Sequence, residues 1–327
     1  MGGGWVGRVV AVAGAAAFVD RRLDQVERVR VAGLGDAGAD EPRTVLFVGV
    51  DTDERPEADP ARAAGARSDT LVLARVDPGA HVVDLLPVPR DLLVDLPGAG
   101  RDRINTAIDR GGPDLLVATI GEALGIEVDH YLQTDFAGAV AIGDAVGGVS
   151  LAFDVPVRDA QAGLDVAAGC QPYDGERLLA LGRSRHLSTF EDGAWHRRDL
   201  TSDRGRIERQ QVIATAMLAE LNALEATDPA EAARVLDAVA EHLAVDVETT
   251  NQDLVDLARA MSGAEVRSAR LGPVEVYDEG KAVLALTDQD RTVLESFAVG
   301  EGPGISEPLP PSGWADHARQ PVVPEPC

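Results

Sequence analysis

The chain has 327 residues, of which 45% are hydrophobic and 26% are charged, and its formal net charge is −25. This length and composition allow a large core in one big domain or two ordinary ones, and they exclude a disordered chain. The negative charge argues against general nucleic-acid binding, because proteins that bind polyanions usually present a basic face. An anionic ligand would therefore have to bind at a local, positively charged site.

The N-terminal segment is the first predicted element. Residues Trp5 to Val19 are apolar apart from Arg8, and a charged segment follows. A membrane-spanning helix needs roughly 20 apolar residues, so this shorter run suits a signal peptide, a single-pass anchor or a buried helix. Because no A-x-A-like cleavage site precedes the charged segment, we interpret residues 1–22 as a membrane anchor and residues 23–43 as a linker.

The main domain is predicted over residues 44–305 and begins with three strands. The apolar runs Thr44 to Val50, Thr70 to Val76 and His81 to Val88 predict them. The turn signal Asp77-Pro78-Gly79 joins the second and third strands into a hairpin. Polar segments with arginine lie at the strand ends, where ligand-binding groups commonly gather in sheets flanked by helices.

Helices and strands alternate through the rest of the domain. Pro113 and Gly125 suit the start and the stop of a helix over 113–124. The other predicted elements are strands over 130–133, 149–155 and 265–271 and helices over 136–146, 174–181, 204–224, 229–243 and 251–261. This alternation indicates the α/β class.

The two cysteines bear on the proline-rich tail predicted over residues 306–327. The chain has two cysteines, Cys170 and Cys327, and this even number suits one disulfide in an oxidising compartment. That bond would tie the tail to the body. Two unrelated thiols are the alternative, since residues far apart in sequence need not meet in space.

Arginines recur beside acids and polar residues in four segments. The guanidinium group is a planar fork of donors that matches phosphate oxygens, so arginines converging from distant segments predict a phosphorylated ligand. A surface ion pair is the commoner explanation of any single arginine. The four segments are Arg67-Ser68-Asp69-Thr70, Pro89-Arg90-Asp91, Arg183-Ser184-Arg185-His186 and Arg206 to Gln211.

These segments form part of a longer ordered set that resembles the LytR-CpsA-Psr family. The resemblance is close over roughly Arg43 to Asn222 and looser beyond. It implies a single N-terminal membrane helix, followed in the chain by a domain with a central mixed β-sheet flanked by helices in three layers. The remaining motifs are Gly49-Val50-Asp51, Ile104-Asn105, Gly111-Gly112-Pro113, Asp129-His130-Tyr131 and Asp174-Gly175-Glu176.

The resemblance also implies a function. Members of this family move a glycopolymer from a polyprenyl-pyrophosphate carrier to a hydroxyl of peptidoglycan, which forms a phosphodiester and releases polyprenyl phosphate. The expected protein is thus an extracytoplasmic, membrane-anchored and magnesium-dependent phosphotransferase that does not bind nucleic acid. Such chemistry depends mainly on positioning and electrostatic stabilisation of phosphoryl oxygens.

The family pattern assigns roles to named residues. Asp51 and Asp69 match the acids that hold Mg²⁺, and carboxylates are suitable ligands for a metal bridged to pyrophosphate. Asp91 is a candidate base, but an aspartate beside an arginine serves equally well as a structural partner. The arginines expected at the pyrophosphate are Arg67, Arg90, Arg183 and Arg185, and the expected substrate contacts are Arg103, Asn105, Arg206, Arg209, Gln210 and Gln211.

Other interpretations remain open at this point. The stretch Leu187 to Asp203, inserted between two arginine motifs, suits a mobile surface loop, or a sugar-binding segment through Trp195. The P-loop, zinc-protease and serine-hydrolase motifs are missing from the sequence. A non-catalytic polyprenyl-phosphate-binding protein and a lipid pyrophosphatase are the alternative functions.

Overall fold

The computed structural model describes residues 18–51, 67–197, 229–300 and 322–327, and residues 205–206, 209–210, 212–213, 216–217 and 220 between them. At residues 51, 67, 69, 136, 137 and 229–232 only the backbone is described. Most of the predicted membrane anchor and of the tail lies outside these ranges. Within the described ranges, no helix has both the length and the apolar character that a membrane crossing needs.

The first half of the domain is mainly strands. They are β1 (Glu27–Val29), β2 (Arg43–Asp51), β3 (Arg67–Asp77), β4 (Val82–Pro87), β5 (Leu93–Leu96), β6 (Gly100–Arg103), β7 (His130–Thr134), β8 (Val149–Phe153), β9 (Val157–Asp159), β10 (Leu164–Val166) and β11 (Gly169–Tyr173). The later strands are β12 (Ser188–Glu191), β13 (Ala194–Arg197), β14 (Leu243–Asp246), β15 (Glu265–Ser268), β16 (Val274–Asp278), β17 (Lys281–Ala285) and β18 (Glu325–Pro326). The helices described along their whole length are α1 (Thr106–Leu124), α2 (Phe136–Ala145), α3 (Gly175–Arg183), α4 (Pro229–His242), α5 (Asn251–Met261) and α6 (Asp288–Val299). Residues 18–23 and the described residues between 205 and 220 are helical too.

A seven-stranded mixed sheet forms the centre, in the order β1-β14-β7-β2-β3-β4-β15. The pairs β1–β14, β7–β2 and β4–β15 are parallel and the other neighbours are antiparallel. One face packs on α1 and α6 through residues such as Ile120 and Phe297. The other face packs on α4 and α5 through residues such as Ala240 and Leu257. This confirms the three-layer α/β fold with a central mixed sheet.

A smaller unit with its own apolar core adjoins the central sheet. It contains the four-stranded sheet β10-β9-β12-β13, the three-stranded sheet β11-β8-β18 and helix α3. Leu151, Val157 and Leu181 are buried in its core, and Ala216 from the helical residues between 205 and 220 packs there too. The arginine segment 183–186 lies at the junction of α3 with this core.

Most predicted elements are confirmed, and the differences have local causes. Strands β3 and β4 form the predicted hairpin, and Gly125 ends α1 in the left-handed conformation. Helix α1 begins seven residues before the predicted start, because a kink at Gly112 (φ 68°) joins a preceding helical segment to the one that Pro113 begins. The mobile-loop interpretation of 187–203 is wrong for residues 188–197, which form the β12–β13 hairpin over the buried Thr189.

Residues assigned to the linker also take part in the fold. Strand β1 adds to the edge of the central sheet through β14. Leu23 and Val26 are buried against the face that packs on α4 and α5, and Val31 is buried in the opposite core. The chain is therefore attached to the domain well before β2.

The C-terminal end of the chain is joined to the smaller unit. Cys170 and Cys327 form the disulfide, with their Cα atoms 6.1 Å apart, and β18 pairs with β8. Val322 packs against the apolar core of this unit. The disulfide that the sequence left open is thus present, and it fixes the tail to the body.

We expect the double replacement Cys170→Ser/Cys327→Ser to lower the free energy of unfolding by about 2 kcal/mol. The bond closes a loop of 157 residues. The value lies at the low end of the usual range because, among the described residues near Cys327, the short strand β18 and Val322 are also held by their own hydrogen bonds and packing. Denaturant unfolding of the oxidised protein and the variant measures the difference. Reducing agent should shift the wild type by the same amount and leave the variant unchanged; equal stability of the two proteins would contradict the prediction.

Candidate active site

The predicted phosphate-binding segments meet at one end of the central strands. Since β3 is antiparallel to both β2 and β4, its first residue Arg67 lies at the end where β2 and β4 finish. The Val88 N–H donates to the Leu71 carbonyl over 2.9 Å. Arg90 and Asp69 each lie two residues beyond this hydrogen bond, so segments far apart in sequence reach the same place.

A β-bulge interrupts β3 at this end. Gly49 lies opposite Thr70, but Val50 lies opposite Ser68, so Asp69 is the extra residue. Bulges are common beside active sites, where they re-aim side chains. The backbone of Asp51 lies opposite that of Arg67. The two acids predicted to bind magnesium are therefore on neighbouring strands at the same end, while their side chains lie outside the described residues. Among the described side chains, no group of three or more potential metal ligands is found.

Arg90, Asp91 and Arg103 form an ionic cluster beyond β4. Arg90 Nε donates to Asp91 Oδ2 over 3.3 Å, and Arg103 Nη1 donates to Asp91 Oδ1 over 3.1 Å. The Arg90 and Asp91 side chains are only 16% and 13% exposed. Because an arginine engages each oxygen of the carboxylate, Asp91 is suited to orient two cations. This geometry favours the structural-partner interpretation of Asp91 over the base.

Asn105 connects this cluster to the start of α1. It is 5% exposed, and its backbone N–H donates to the Arg90 carbonyl over 3.2 Å. Its side chain makes no capping hydrogen bond to α1, and its Oδ1 is buried without a partner among the described residues. A buried acceptor without a partner costs free energy. Asn105 therefore ties the backbone of Arg90 to the start of α1.

The segment Arg183 to His186 is held by a carboxylate that the sequence analysis did not identify. Asp159 Oδ2 accepts from Ser184 Oγ over 2.7 Å and from the N–H groups of Arg185 and His186 over 3.1 and 2.9 Å. Its Oδ1 accepts from Gln161 N–H over 3.0 Å. Asp159 is 2% exposed and Ser184 is fully buried. The arginines of this segment therefore project from a fixed loop.

The hydrogen bonds also decide the charge of Asp159. Burial alone raises the pKa of its carboxyl, but the donors from Ser184, His186, Gln161 and Ala162 together outweigh burial, so the pKa lies below its ordinary value. Asp159 is consequently ionised at neutral pH. No sequence signal marks it, because it lies 24 residues before Arg183 in a strand of three residues.

Gln210 joins the loop to the central sheet. Its Nε2 donates to Thr70 Oγ1 over 3.2 Å and to the Gly182 carbonyl over 3.0 Å. It therefore brings the segment before Arg183 beside the first residues of β3. Of the predicted substrate contacts, Gln210 lies at this junction, and Gln211 lies outside the described residues.

The two arginines that precede Gln210 are buried. Arg209 is fully buried and donates to the carbonyls of Ser184 and Val322, the latter over 3.1 Å. It thus holds the arginine loop and the C-terminal segment together. Arg206 is 3% exposed. In contrast, Arg183 is exposed and Arg185 is half-buried, so these two are more accessible from solvent.

The apolar residues of the neighbouring helices are mostly used in packing. Leu116 and Ile120 of α1 lie in the central core, and Val212 and Met217 pack against the core of the smaller unit. The backbones of helices α2 and α3 lie close together at Gly175. A Cβ atom there would come within 2.1 Å of the Val140 carbonyl oxygen, so the contact requires glycine. The sheet end thus carries a charged site on well-packed supports.

The chain is similar to known proteins both in sequence and in fold. The model of the LytR_cpsA_psr family matches residues 12–294. The probable cell wall biosynthesis protein LcpB of Corynebacterium glutamicum is 41% identical over 119 residues, which are 36% of this chain and 28% of that protein. The polyisoprenyl-teichoic acid–peptidoglycan teichoic acid transferase TagU of Enterococcus faecalis is 26% identical over 278 residues, 85% of each chain. The structure of the LytR-Csp2A-Psr enzyme from Actinomyces oris aligns with a TM-score of 0.68 at 26% identity, over 84% of this chain and 96% of that one.

Proposed function

The chain belongs to the LytR-CpsA-Psr family, and we propose that it is a phosphotransferase that moves a glycopolymer from a polyprenyl-pyrophosphate carrier to a hydroxyl of peptidoglycan. The observation that carries this proposal is the meeting of Arg90, the Arg183–His186 loop and the bulged start of β3 at one end of the sheet. The similarity to polyisoprenyl-teichoic acid–peptidoglycan teichoic acid transferases supports it.

The reaction proceeds at the phosphorus that carries the glycan. The oxygen of the acceptor hydroxyl attacks this phosphorus, and the bond to the oxygen shared with the second phosphate breaks. Polyprenyl phosphate leaves with that oxygen, and the hydroxyl proton passes to a base or to water. The product is a phosphodiester between the glycan and the acceptor, so atoms and charges balance without a covalent enzyme intermediate.

Arginines supply the stabilisation that this reaction requires. Charge grows on the oxygens around the phosphorus and on the leaving phosphate, and fixed guanidinium groups lower the energy of that state. Arg90 is held by Asp91, and the backbone that carries Arg183 and Arg185 is held by Asp159. Because these supports exist before a substrate arrives, little reorganisation is needed on binding. Arg67 lies at the same end of the sheet and completes the set.

A magnesium ion fits the chemistry of two neighbouring acids. Asp51 and Asp69 would hold it, because carboxylate oxygens are the ligands that Mg²⁺ prefers and the backbones of both residues reach the same end of β2 and β3. When bound, the ion neutralises charge on pyrophosphate oxygens.

An extracytoplasmic location is part of the proposal. The Cys170–Cys327 disulfide supports it, because such bonds persist in oxidising compartments and are rare in the cytosol. The apolar N-terminal residues would hold the domain at the membrane, where the carrier lipid lies. A polymer carried by a membrane lipid and an acceptor in the wall can both reach such a protein.

The test is a transfer assay with the full-length protein, a polyprenyl-pyrophosphate-linked glycan, peptidoglycan fragments and Mg²⁺. We expect release of polyprenyl phosphate together with glycan joined to the acceptor, and loss of both products with chelator or in Asp69→Asn. Release without joining would replace the proposal by a lipid pyrophosphatase. Tight carrier binding without release, for every acceptor tried, would replace it by a non-catalytic binding protein.

A further inference from the structure

The outer face of the β9–β12–β13 sheet carries an unusual group of side chains. Side chains alternate along these strands, so Val157 and Thr189 point into the core while their neighbours point outward. The residues of this outer face are Arg158, Ser188, Phe190, Trp195 and Arg197, and we call them the aromatic face.

The aromatic face is an ordered surface. Phe190 and Trp195 lie opposite each other on β12 and β13, with ring centroids 5.3 Å apart and planes tilted by 57°. The Arg158 guanidinium lies 4.0 Å from the centre of the Trp195 ring. Such cation–π and aromatic pairs fix the side chains. Phe190 nevertheless stays 37% exposed. The rings are thus held in place while part of their surface faces water.

The same small sheet also holds the arginine loop, Arg183 to His186. Asp159, which fixes Arg185 and His186, is the residue after Arg158 on β9. Strand β12 begins two residues after His186. From His186, the last residue of the loop, to Phe190 the chain extends at most about 13 Å at the usual rise of a strand. The aromatic face therefore begins at the site and leads away from it on a rigid support.

We propose that the aromatic face binds the glycan strand of the peptidoglycan acceptor, an inference that rests on the proposed transferase function. The apolar C–H face of a sugar ring stacks on an aromatic ring, and guanidinium groups donate to hydroxyls and carboxylates. Arg158 and Arg197 place two cations there, against one carboxylate on the adjacent strand, Asp165 opposite Arg158, in a protein with a net charge of −25. Peptidoglycan carries carboxylates on its peptide stems, so its charge complements these cations. Its strand would run along β12 and present a hydroxyl at the arginine loop.

The first test is sedimentation of the full-length protein with insoluble peptidoglycan that has been stripped of secondary polymers, without any donor lipid. Trp195→Ala is expected to weaken binding about fivefold or more, Phe190→Ala in the same direction, and Trp195→Phe less. Tyr277→Ala is the matched control, because Tyr277 is an aromatic residue on another hairpin and is 75% exposed. Thermal unfolding of each variant shows that the fold is kept.

Kinetics separate this inference from its alternatives. In transfer assays, Trp195→Ala should raise KM for the acceptor and leave KM for the donor unchanged. A rise in the donor KM instead would assign the face to the donor glycan and overturn the proposal. Unchanged peptidoglycan binding, or an equal loss in Tyr277→Ala, would also overturn it. Since sedimentation needs no turnover, binding that depends on Trp195 would stand even if the transferase activity were disproved.

Discussion

Replacement of Arg90 by alanine is expected to lower kcat/KM for glycopolymer transfer by about 10²–10³-fold. Arg90 lies beyond β4 at the end of the sheet where β3 begins, and Asp91 holds its guanidinium group. A fixed cation at the phosphoryl oxygens acts most strongly as charge develops, so the loss should appear mainly in kcat. Arg90→Lys should recover only part of the rate, because an ammonium group keeps the charge but loses the planar fork.

The control for Arg90 is an arginine far from the site. Arg259 on α5 is 68% exposed and pairs with Asp256, so Arg259→Ala should leave transfer unchanged and cost less than about 1 kcal/mol of stability. Transfer is followed by release of polyprenyl phosphate at saturating and limiting donor. If Arg90→Ala retains wild-type kcat/KM while remaining folded, Arg90 has no part in catalysis and the site must be assigned elsewhere.

Most of the central sheet could be predicted from the sequence because its strands are continuous apolar runs. Strands buried on both faces, such as β2 and β3, form near-continuous apolar runs, and the turn signals that bound these runs distinguish them from longer buried helices. Helix α5 was predicted to the residue, since Thr250 and Asp253 form a capping box at its start. Local rules of this kind give elements without any knowledge of their neighbours.

The short strands of the smaller unit could not be predicted in the same way. Strands β9 and β10 have three residues each, too few for a period to be visible. The β12–β13 hairpin lies in a polar stretch, and its pattern becomes clear only when the buried Thr189 is known. In these short strands, the neighbouring strands and the core against which they pack determine the secondary structure.

The candidate site also has features that the sequence predicts and features that depend on contacts in space. The motifs predicted the segments that meet, and the structure decides how single side chains within them are used. Arg209 looks like a ligand contact in sequence, yet its donors reach the carbonyls of Ser184 and Val322 in the interior. Asp159 looks like any surface acid, yet it holds the arginine loop. Burial and partners, which a single sequence does not display, separate the two cases.

Asp159→Ala is expected to lower the free energy of unfolding by about 3 kcal/mol and to impair transfer as well. The substitution leaves Ser184 Oγ and the N–H groups of Arg185 and His186 without their acceptor in a buried place. Once the loop relaxes, Arg183 and Arg185 lose their fixed positions, so KM for the donor should rise more than tenfold at temperatures where the variant is still folded. Asp159→Asn keeps the shape and one acceptor oxygen, so its stability and its donor KM should lie between those of the wild type and those of Asp159→Ala.

The pH dependence of stability gives a second, independent readout for Asp159. Since the pKa of the folded state lies below that of the unfolded state, the contribution of this carboxylate is fully present at neutral pH, and it is lost as the pH falls below about 4 through the folded pKa. The difference in unfolding free energy between wild type and Asp159→Asn should therefore shrink in acid. Asp154→Asn, an exposed neighbour between β8 and β9, should change neither stability nor donor KM. A difference that stays constant between pH 7 and pH 3 would show that the charge of Asp159 does not hold the arginine loop.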